Sequence, residues 1–405
     1  HKSTWLWGNE NHGDFSTAYL SLGEVKDLKF KIIALKRLIQ EGQITSKIPI
    51  KDGQIQPASL DLRLGNKAYR LRSSFHPERS DVHTRLNVLD HYESDLVMYA
   101  IDLTQGGILE KGHVYLVPLL EGLALPKRIR GRANPKSSTG RLDIFTRMIT
   151  DLNVGFDEVR SGYHGPLYLE IVPLSFTIRV QTGLALNQLR LVEGQPTVSD
   201  TQLLKLHRQN GLLFDNGNPP RNNVTLAPKH MRVNNGMFLR VDLHGNGEHN
   251  SIVGYRAKKN SHVVDLSRIG HYPALDFWEP IYHHSNDSLV LEPQEFYILA
   301  SKERIRVPPG YATEMVAYEA ACGELRTHYA GFFDPGFGAA TAPKNGTPVV
   351  LEVRPHDVPF MIHDGQTFFK VIYERMIDNP DEIYGSTIGS SYHQQGLTLS
   401  KHFKW

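Results

Sequence analysis

Apolar and polar positions alternate in short stretches along most of this chain, and a period of two is the signature of half-buried strands. In Gln54–Asn66, Leu60, Leu62 and Leu64 alternate with Asp61 and Arg63 before a Gly-Asn turn. Beyond it, Leu96–Leu103, His113–Pro118, Pro166–Pro173, Thr177–Val180 and Leu184–Val192 are apolar runs of strand length cut by Gly and Pro. A helical period is clear near the start, where Leu28, Ile32, Ile33, Leu35, Leu38 and Ile39 recur between Val25 and Glu41 until Gly42 ends the run. No long alternation of strands and helices follows. A doubly wound parallel sheet is therefore disfavoured, and a mainly β chain of barrel or jelly-roll type is expected.

The second half of the chain repeats the first. Ile108–Leu116 lines up with Val290–Ile298, and Pro166–Pro173 with Pro348–Pro355, at one common offset. The period is too long for a solenoid, so the expected organisation is a tandem of two similar β domains. Residues 1–29 form an N-terminal extension, 30–214 the first repeat and 229–380 the second. A linker at 215–228 contains the turn-rich stretch Asp215–Asn223, and 381–405 form a C-terminal tail.

Composition narrows the classes without choosing among them. A chain of 405 residues exceeds one ordinary core. Its 34 glycines and 23 prolines fit many turns between short strands. A net charge of +2 argues against general nucleic-acid binding, which needs a basic surface rather than one basic loop. The single cysteine, Cys322, excludes an intrachain disulfide framework and fits a reducing, cytoplasmic setting. No apolar run is long enough to span a membrane, and the first residues lack a signal-peptide core.

The chemistry is concentrated in Pro126–Arg141, where six basic residues and three hydroxyls occur with no acidic side chain. Guanidinium, ammonium and hydroxyl groups beside glycine-permitted amides make a grip for a phosphate chain, although the spacing is not that of a Walker loop. In the second repeat, Lys136, Ser137, Ser138 and Arg141 are replaced by Glu319, Ala320, Ala321 and Glu324. Carboxylates there would repel a triphosphate, so the second loop is expected to be silent. Glu170 follows Leu167 and Leu169 in an apolar strand, where burial would raise its pKa into a range useful for proton transfer. Glu352 holds the same place in the second repeat and is not expected to be catalytic, because its own loop lacks the basic partners.

Pro57–Gly65, Lys136–Arg141 and Leu167–Ile171, in that order, resemble the dCTP deaminase branch of the dUTPase superfamily, and Tyr384–Ser400 is similar to the segment that closes over the nucleotide there. The resemblance covers the chain from about residue 30 to its end, as a duplicated form of the enzyme. It implies two dUTPase-like distorted jelly-roll barrels with a few short helices. Single-repeat relatives are trimers with sites between subunits, so a homo-oligomer, with a trimer favoured, is expected. The implied reaction is hydrolysis of the 4-amino group of dCTP to give dUTP and ammonia, with dTTP as a possible feedback inhibitor.

The same resemblance implies the roles. Ser137 would hold the attacking water, Arg141 would stabilise developing charge and Glu170 would shuttle the proton. Lys136 and Ser138 would bind phosphates; Thr139, Gly140, Asn153, Tyr168 and Leu169 would complete the substrate site. Tyr384 and one of Gln394 or Gln395 would cover it as a lid. Mg²⁺ would ride on the triphosphate oxygens, with no dedicated protein metal site. A zinc-deaminase mechanism is not expected, because His-x-Glu with Pro-Cys-x-x-Cys cannot be assembled from one cysteine.

Three departures from the family pattern stand out. The Asp-Pro-Gly-Phe turn is intact at Asp334–Phe337 but reads Asn153–Phe156 in the first repeat, Ser391 stands where Lys is usual, and Lys136 stands where Arg is common. A bifunctional deaminase that also releases pyrophosphate, a plain dUTPase using Asp157 near Gly162–Gly165, and a non-catalytic nucleotide sensor stay open as alternatives. His283 and His284 lack the spacing of a metal motif and read as scattered surface histidines. Phe277 and Trp278 are expected in a core, and Cys322 as a small buried residue. Leu203–Gly211 is a candidate remnant of a first-repeat lid.

Overall fold

The computed structural model describes residues 28–29, 32–78, 81–82, 96–215, 224–245, 251–317, 325–327, 331–339, 346–377, 392 and 396–405. Among them the chain is mainly β, almost entirely antiparallel, with a few short helices. In the first half, Leu60–Arg63 and Ile129–Pro135 flank Ala185–Glu193 in one sheet. Lys67–Leu71 and His164–Pro173 flank Val114–Ala124 in the other, with Ile144–Thr150 beyond. Their inward side chains, among them Leu62, Val117, Leu169 and Leu189, form one core. The second half has Tyr297–Ile305 beside Thr347–Pro355 in one sheet and Tyr311–Ala317 beside Thr367–Arg375 in another, around Leu299, Leu351 and Val371.

The duplication is physical as well as textual. Tyr115 Oη accepts from Glu110 N at 3.0 Å, and Tyr297 Oη accepts from Glu292 N at 2.9 Å. Arg63 pairs with buried Glu121 just as Arg240 pairs with buried Glu303. Each pair ties a first strand to the long strand beside it, and burial with hydrogen bonding makes such pairs costly to break singly.

Several expectations are revised. The strand at Leu60–Arg63 is buried on both faces rather than one, because Asp61 and Arg63 are neutralised by Lys136 and Glu121. The helix starts at Ile32, since Leu28–Lys29 is drawn into the sheet opposite Val192–Glu193. Leu213–Asp215 already pairs with Tyr297–Ile305, so the chain has entered the second half before the expected linker at 215. Asp200–Asn210 is a helix, started by a capping box between Ser199 and Gln202. It buries Leu203 and Leu206 in the second core, so it is not a lid remnant.

The halves share structure. Val264–Asp265 pairs in parallel with Ile178–Arg179, and Phe277, Trp278 and Phe403 pack in the first core. Phe176 and Trp278 meet edge to face at 5.4 Å, and Trp278 meets Phe403 at 5.9 Å. Such ring pairs add about 0.5–1.5 kcal/mol each beyond the area they bury. Phe403 is thereby anchored in the core, while Trp405 stays exposed. Cys322 and the second-half loop at 318–324 lie outside the described residues.

Candidate active site at the junction of the halves

Strand Ile129–Pro135 ends in the basic loop, which turns through the four-residue helix Ser137–Gly140. Thr139 N and Gly140 N both donate to Lys136 O, at 2.8 and 3.0 Å. Lys136 Nζ pairs with Asp61, whose pKa is nevertheless raised, because burial outweighs the nearby ammonium. Arg141 is buried.

The carboxylate that meets this loop is Glu352, from Thr347–Pro355 of the second half. It is buried, and a Cβ added at Gly140 would collide with it. Pro135, Lys136, Ser137, Arg141, Phe333 and Glu352 line one cleft. Burial pushes the Glu352 carboxyl up to about 8, against the attraction of Arg141 and with a further push from Asp143.

Two buried ion-pair networks hold the halves in this register. Arg354, two residues beyond Glu352, pairs with Asp143 and donates to Ser175 Oγ at 3.0 Å, while Ser175 Oγ donates to Asp143 at 2.6 Å. On the other side, fully buried Arg190 donates to Thr313 O at 2.7 Å, Phe333 O at 3.0 Å and Asp334 at 3.0 Å. Its guanidinium lies 3.9 Å from the Phe332 ring.

The tail completes the wall. Arg141 donates to Thr398 O at 2.9 Å, and its guanidinium lies 3.9 Å from the Tyr392 ring. Tyr392 Oη accepts from Lys401 N at 3.0 Å, and Ser400 Oγ donates to Ser138 O at 2.8 Å. Behind the loop, Asp61, Lys136, Ser138, Thr139, Lys401 and His402 line a second cavity of about 210 Å³. Burial and neighbouring Lys136 lower the pKa of Lys401. Asp61 Oδ1 and Thr139 Oγ1 are buried with no hydrogen-bond partner among the described residues.

The structure thus brings Lys136, Ser137, Ser138, Thr139, Gly140 and Arg141 together but sets Glu170 elsewhere. Glu170 Oε1 accepts from Arg147 Nε at 2.8 Å, and Arg147 stacks 3.9 Å from the Phe156 ring, so one carboxylate oxygen is held by a neighbour in its own sheet while Oε2 is buried with no hydrogen-bond partner among the described residues. Asn153 Nδ2 donates to Glu158 O at 2.9 Å within its own hairpin, and Asp157 accepts from Met148 N at 2.7 Å. Tyr168 lines a separate groove with Tyr69, and Leu169 is core. None of these residues lines the cleft; Val350 and Phe333 of the second half do. Tyr384, Gln394, Gln395 and Ser391 lie outside the described residues. Glu352, which the sequence names but does not assign to the site, lines the cleft in place of Glu170, and Asp61 and Lys401, which it does not single out, line the cavity behind the loop. The match of Pro348–Pro355 to Pro166–Pro173 carried the signal for Glu352, which holds the place of Glu170 in the second repeat.

Residues 30–195 match the family described as the 2'-deoxycytidine 5'-triphosphate deaminase (DCD) N-terminal domain, and residues 199–403 match its C-terminal domain. The chain is 30% identical over 156 residues to "dCTP deaminase, dUMP-forming" of Sulfurihydrogenibium sp., covering 38% of this chain and 78% of that protein. It is 29% identical over 166 residues to "dCTP deaminase" of Haloarcula marismortui, covering 39% and 76%. The crystal structure of 2'-deoxycytidine 5'-triphosphate deaminase from Agrobacterium tumefaciens superposes with a TM-score of 0.78 at 45% identity, over 87% of this chain and 99% of that one.

Proposed function

The chain belongs to the 2'-deoxycytidine 5'-triphosphate deaminase family, and we propose that it converts dCTP and water to dUTP and ammonia at one composite site per chain. The first half supplies the phosphate loop, and the second half supplies the proton shuttle, Glu352. The observation that carries this reading is the seating of the Glu352 carboxylate against Gly140, within electrostatic reach of Arg141.

Ser137 holds the water. Glu352 takes its proton as the oxygen adds to C4 of the pyrimidine and passes it to N3; it then takes the proton of the new C4 hydroxyl and delivers it to the amine, which departs as ammonia and leaves the C4 carbonyl. A carboxyl poised at about 8 reaches both protonation states near neutral pH, as a group that accepts and then donates requires. Arg141 stabilises the charge that builds on the ring, in a cleft where burial strengthens the interaction. Lys136 and Lys401, with the Ser138 and Thr139 hydroxyls, bind the phosphates. Mg²⁺ neutralises phosphate charge when bound, and Asp61 Oδ1 and Thr139 Oγ1 are hard oxygens that fit it. Tyr392 and Thr398–Lys401 of the tail form the wall over Arg141.

Each half is read as a dUTPase-like distorted jelly-roll barrel, supported by its paired antiparallel sheets. The two halves stand in for two subunits of a single-repeat trimer, and further copies of the chain assemble on the remaining faces. Release of pyrophosphate to leave dUMP is a second reading, favoured by the name of the Sulfurihydrogenibium relative.

The test is incubation with dCTP and Mg²⁺, with nucleotides resolved by chromatography and ammonia assayed, beside Glu352→Gln and Glu170→Gln. Deamination is expected to fall by about 10²–10⁴-fold in Glu352→Gln and to persist in Glu170→Gln. Loss in Glu170→Gln alone would return the chemistry to the first half, and pyrophosphate from wild type would select the second reading.

A further inference from the structure

We propose that His244, His283 and Asp287 form a binding site for one divalent transition-metal ion of the zinc type, in the second half and outside the nucleotide cleft. Two segments far apart in sequence bring them together: the turn after Met237–Arg240, and the loop after Trp278–Tyr282. One ligand atom of each lies within 4.8 Å of the other two.

The spacing suits metal ligands, and the hydrogen bond between His244 Nδ1 and Asp287 Oδ1 is a long one. Nδ1 of His244 and Nδ1 of His283 each lie 3.5 Å from the same oxygen, Asp287 Oδ1. A charge-assisted hydrogen bond closes to about 2.7–2.9 Å. Two adjacent ligands of a tetrahedral ion with bonds of about 2.0–2.1 Å are separated by roughly 3.3–3.4 Å. The imidazole rings stand 4.9 Å apart at 66°, edge to face rather than stacked. Leu243 O lies 3.1 Å from His283 Nδ1. It accepts a hydrogen bond from Nδ1–H in one tautomer; with the ring proton on Nε2 instead, His283 Nδ1 presents its lone pair to the ion.

The surroundings hold the ligands in place. Asp242 Oδ1 accepts from His244 N and Gly245 N, both at 3.0 Å, and Asp364 Oδ1 accepts from Leu243 N at 3.0 Å. Asp364 N donates to Asp287 O at 2.9 Å, so three turns meet at this point. Among the described residues Asp242, Asp287 and Asp364 gather here, and Lys302 pairs with Asp364. The side chains of His244, His283 and Asp287 are 22%, 14% and 47% exposed, so an ion can enter without unfolding. Two nitrogens and one carboxylate favour zinc over magnesium, which prefers oxygen. An ion there would clamp three turns of the half that carries Glu352 and stabilise it by mass action.

The experiment uses tag-free full-length protein, dialysed against chelator, reloaded with Zn²⁺, Co²⁺ or Mg²⁺ and freed of excess ion. Metal content, the visible absorption of tetrahedral Co²⁺ and thermal melting are the readouts, none of which depends on turnover. Expected are roughly one retained zinc or cobalt per chain, a tetrahedral cobalt spectrum, a higher melting temperature with zinc, and no retained magnesium. His283→Asn and Asp287→Asn should lose all three effects while melting like chelated wild type. Retention no greater in wild type than in the variants, or an octahedral cobalt spectrum, would overturn the proposal.

Discussion

The Glu352 carboxylate rests against the bare Cα of Gly140, a contact between opposite halves of the chain. Gly140 is buried and sits in helical backbone, so its role is to leave room rather than to permit an unusual turn. Gly140→Ala should therefore fold, yet push the carboxylate away from Ser137 and Arg141. Displacement on the order of 1 Å costs about 10²-fold in turnover. Steady-state kinetics with a melting curve check this; near-normal kcat in a folded variant would remove the contact from the mechanism.

Stability should report the same carboxyl. Its pKa in the fold is about 8, above the ordinary carboxylate range, so the folded state holds a proton that the unfolded chain has released. The favourable contribution is complete below about pH 4.5 and is lost as pH rises towards 8. Glu352→Gln, which cannot ionise, should melt higher than wild type at pH 8–9 and lose that part of the pH dependence. Thermal melts across pH 5–9 measure it, and parallel curves for the two proteins would show that Glu352 is not held protonated.

Arg190 and Asp334 form a buried ion pair between the two halves. Removing one partner leaves an uncompensated charge in the interior, at a cost of about 3–5 kcal/mol. Asp334→Asn should lower stability by that order in urea unfolding. The double substitution Arg190→Met with Asp334→Leu should recover part of it. No recovery would mean that the carbonyls of Thr313 and Phe333, rather than the ion pair, dominate.

Tail residues should act on binding more than on chemistry. Lys401 lines the cavity behind the phosphate loop beside Lys136, and Tyr392 stacks on Arg141. Lys401→Met should raise KM for dCTP roughly tenfold, the equivalent of one charge-assisted hydrogen bond of about 1.4 kcal/mol, with little change in kcat. A fall in kcat at constant KM would place Lys401 with the reacting groups instead. Truncation at residue 381 is a poorer test, because Phe403 belongs to the first core.

The β character, the duplication, the run of cations in Pro126–Arg141 and the family resemblance were legible along the chain, because these rest on local periodicity and on contiguous residues. Leu60, Leu62 and Leu64 announce a strand wherever they are met, and Lys136–Arg141 announces an anion grip without any partner in view. The tertiary structure decided which glutamate faces that grip. Glu170 and Glu352 occupy equivalent strands with equivalent flanks, and nothing local separates them. Packing does: Arg147 reaches Glu170 from the adjoining strand, whereas Gly140 admits Glu352 from the other half. The burial of Asp61 and the approach of His244 to His283 were likewise invisible along the chain. Charge pairing and metal geometry depend on through-space distances, which the order of residues does not encode one pair at a time.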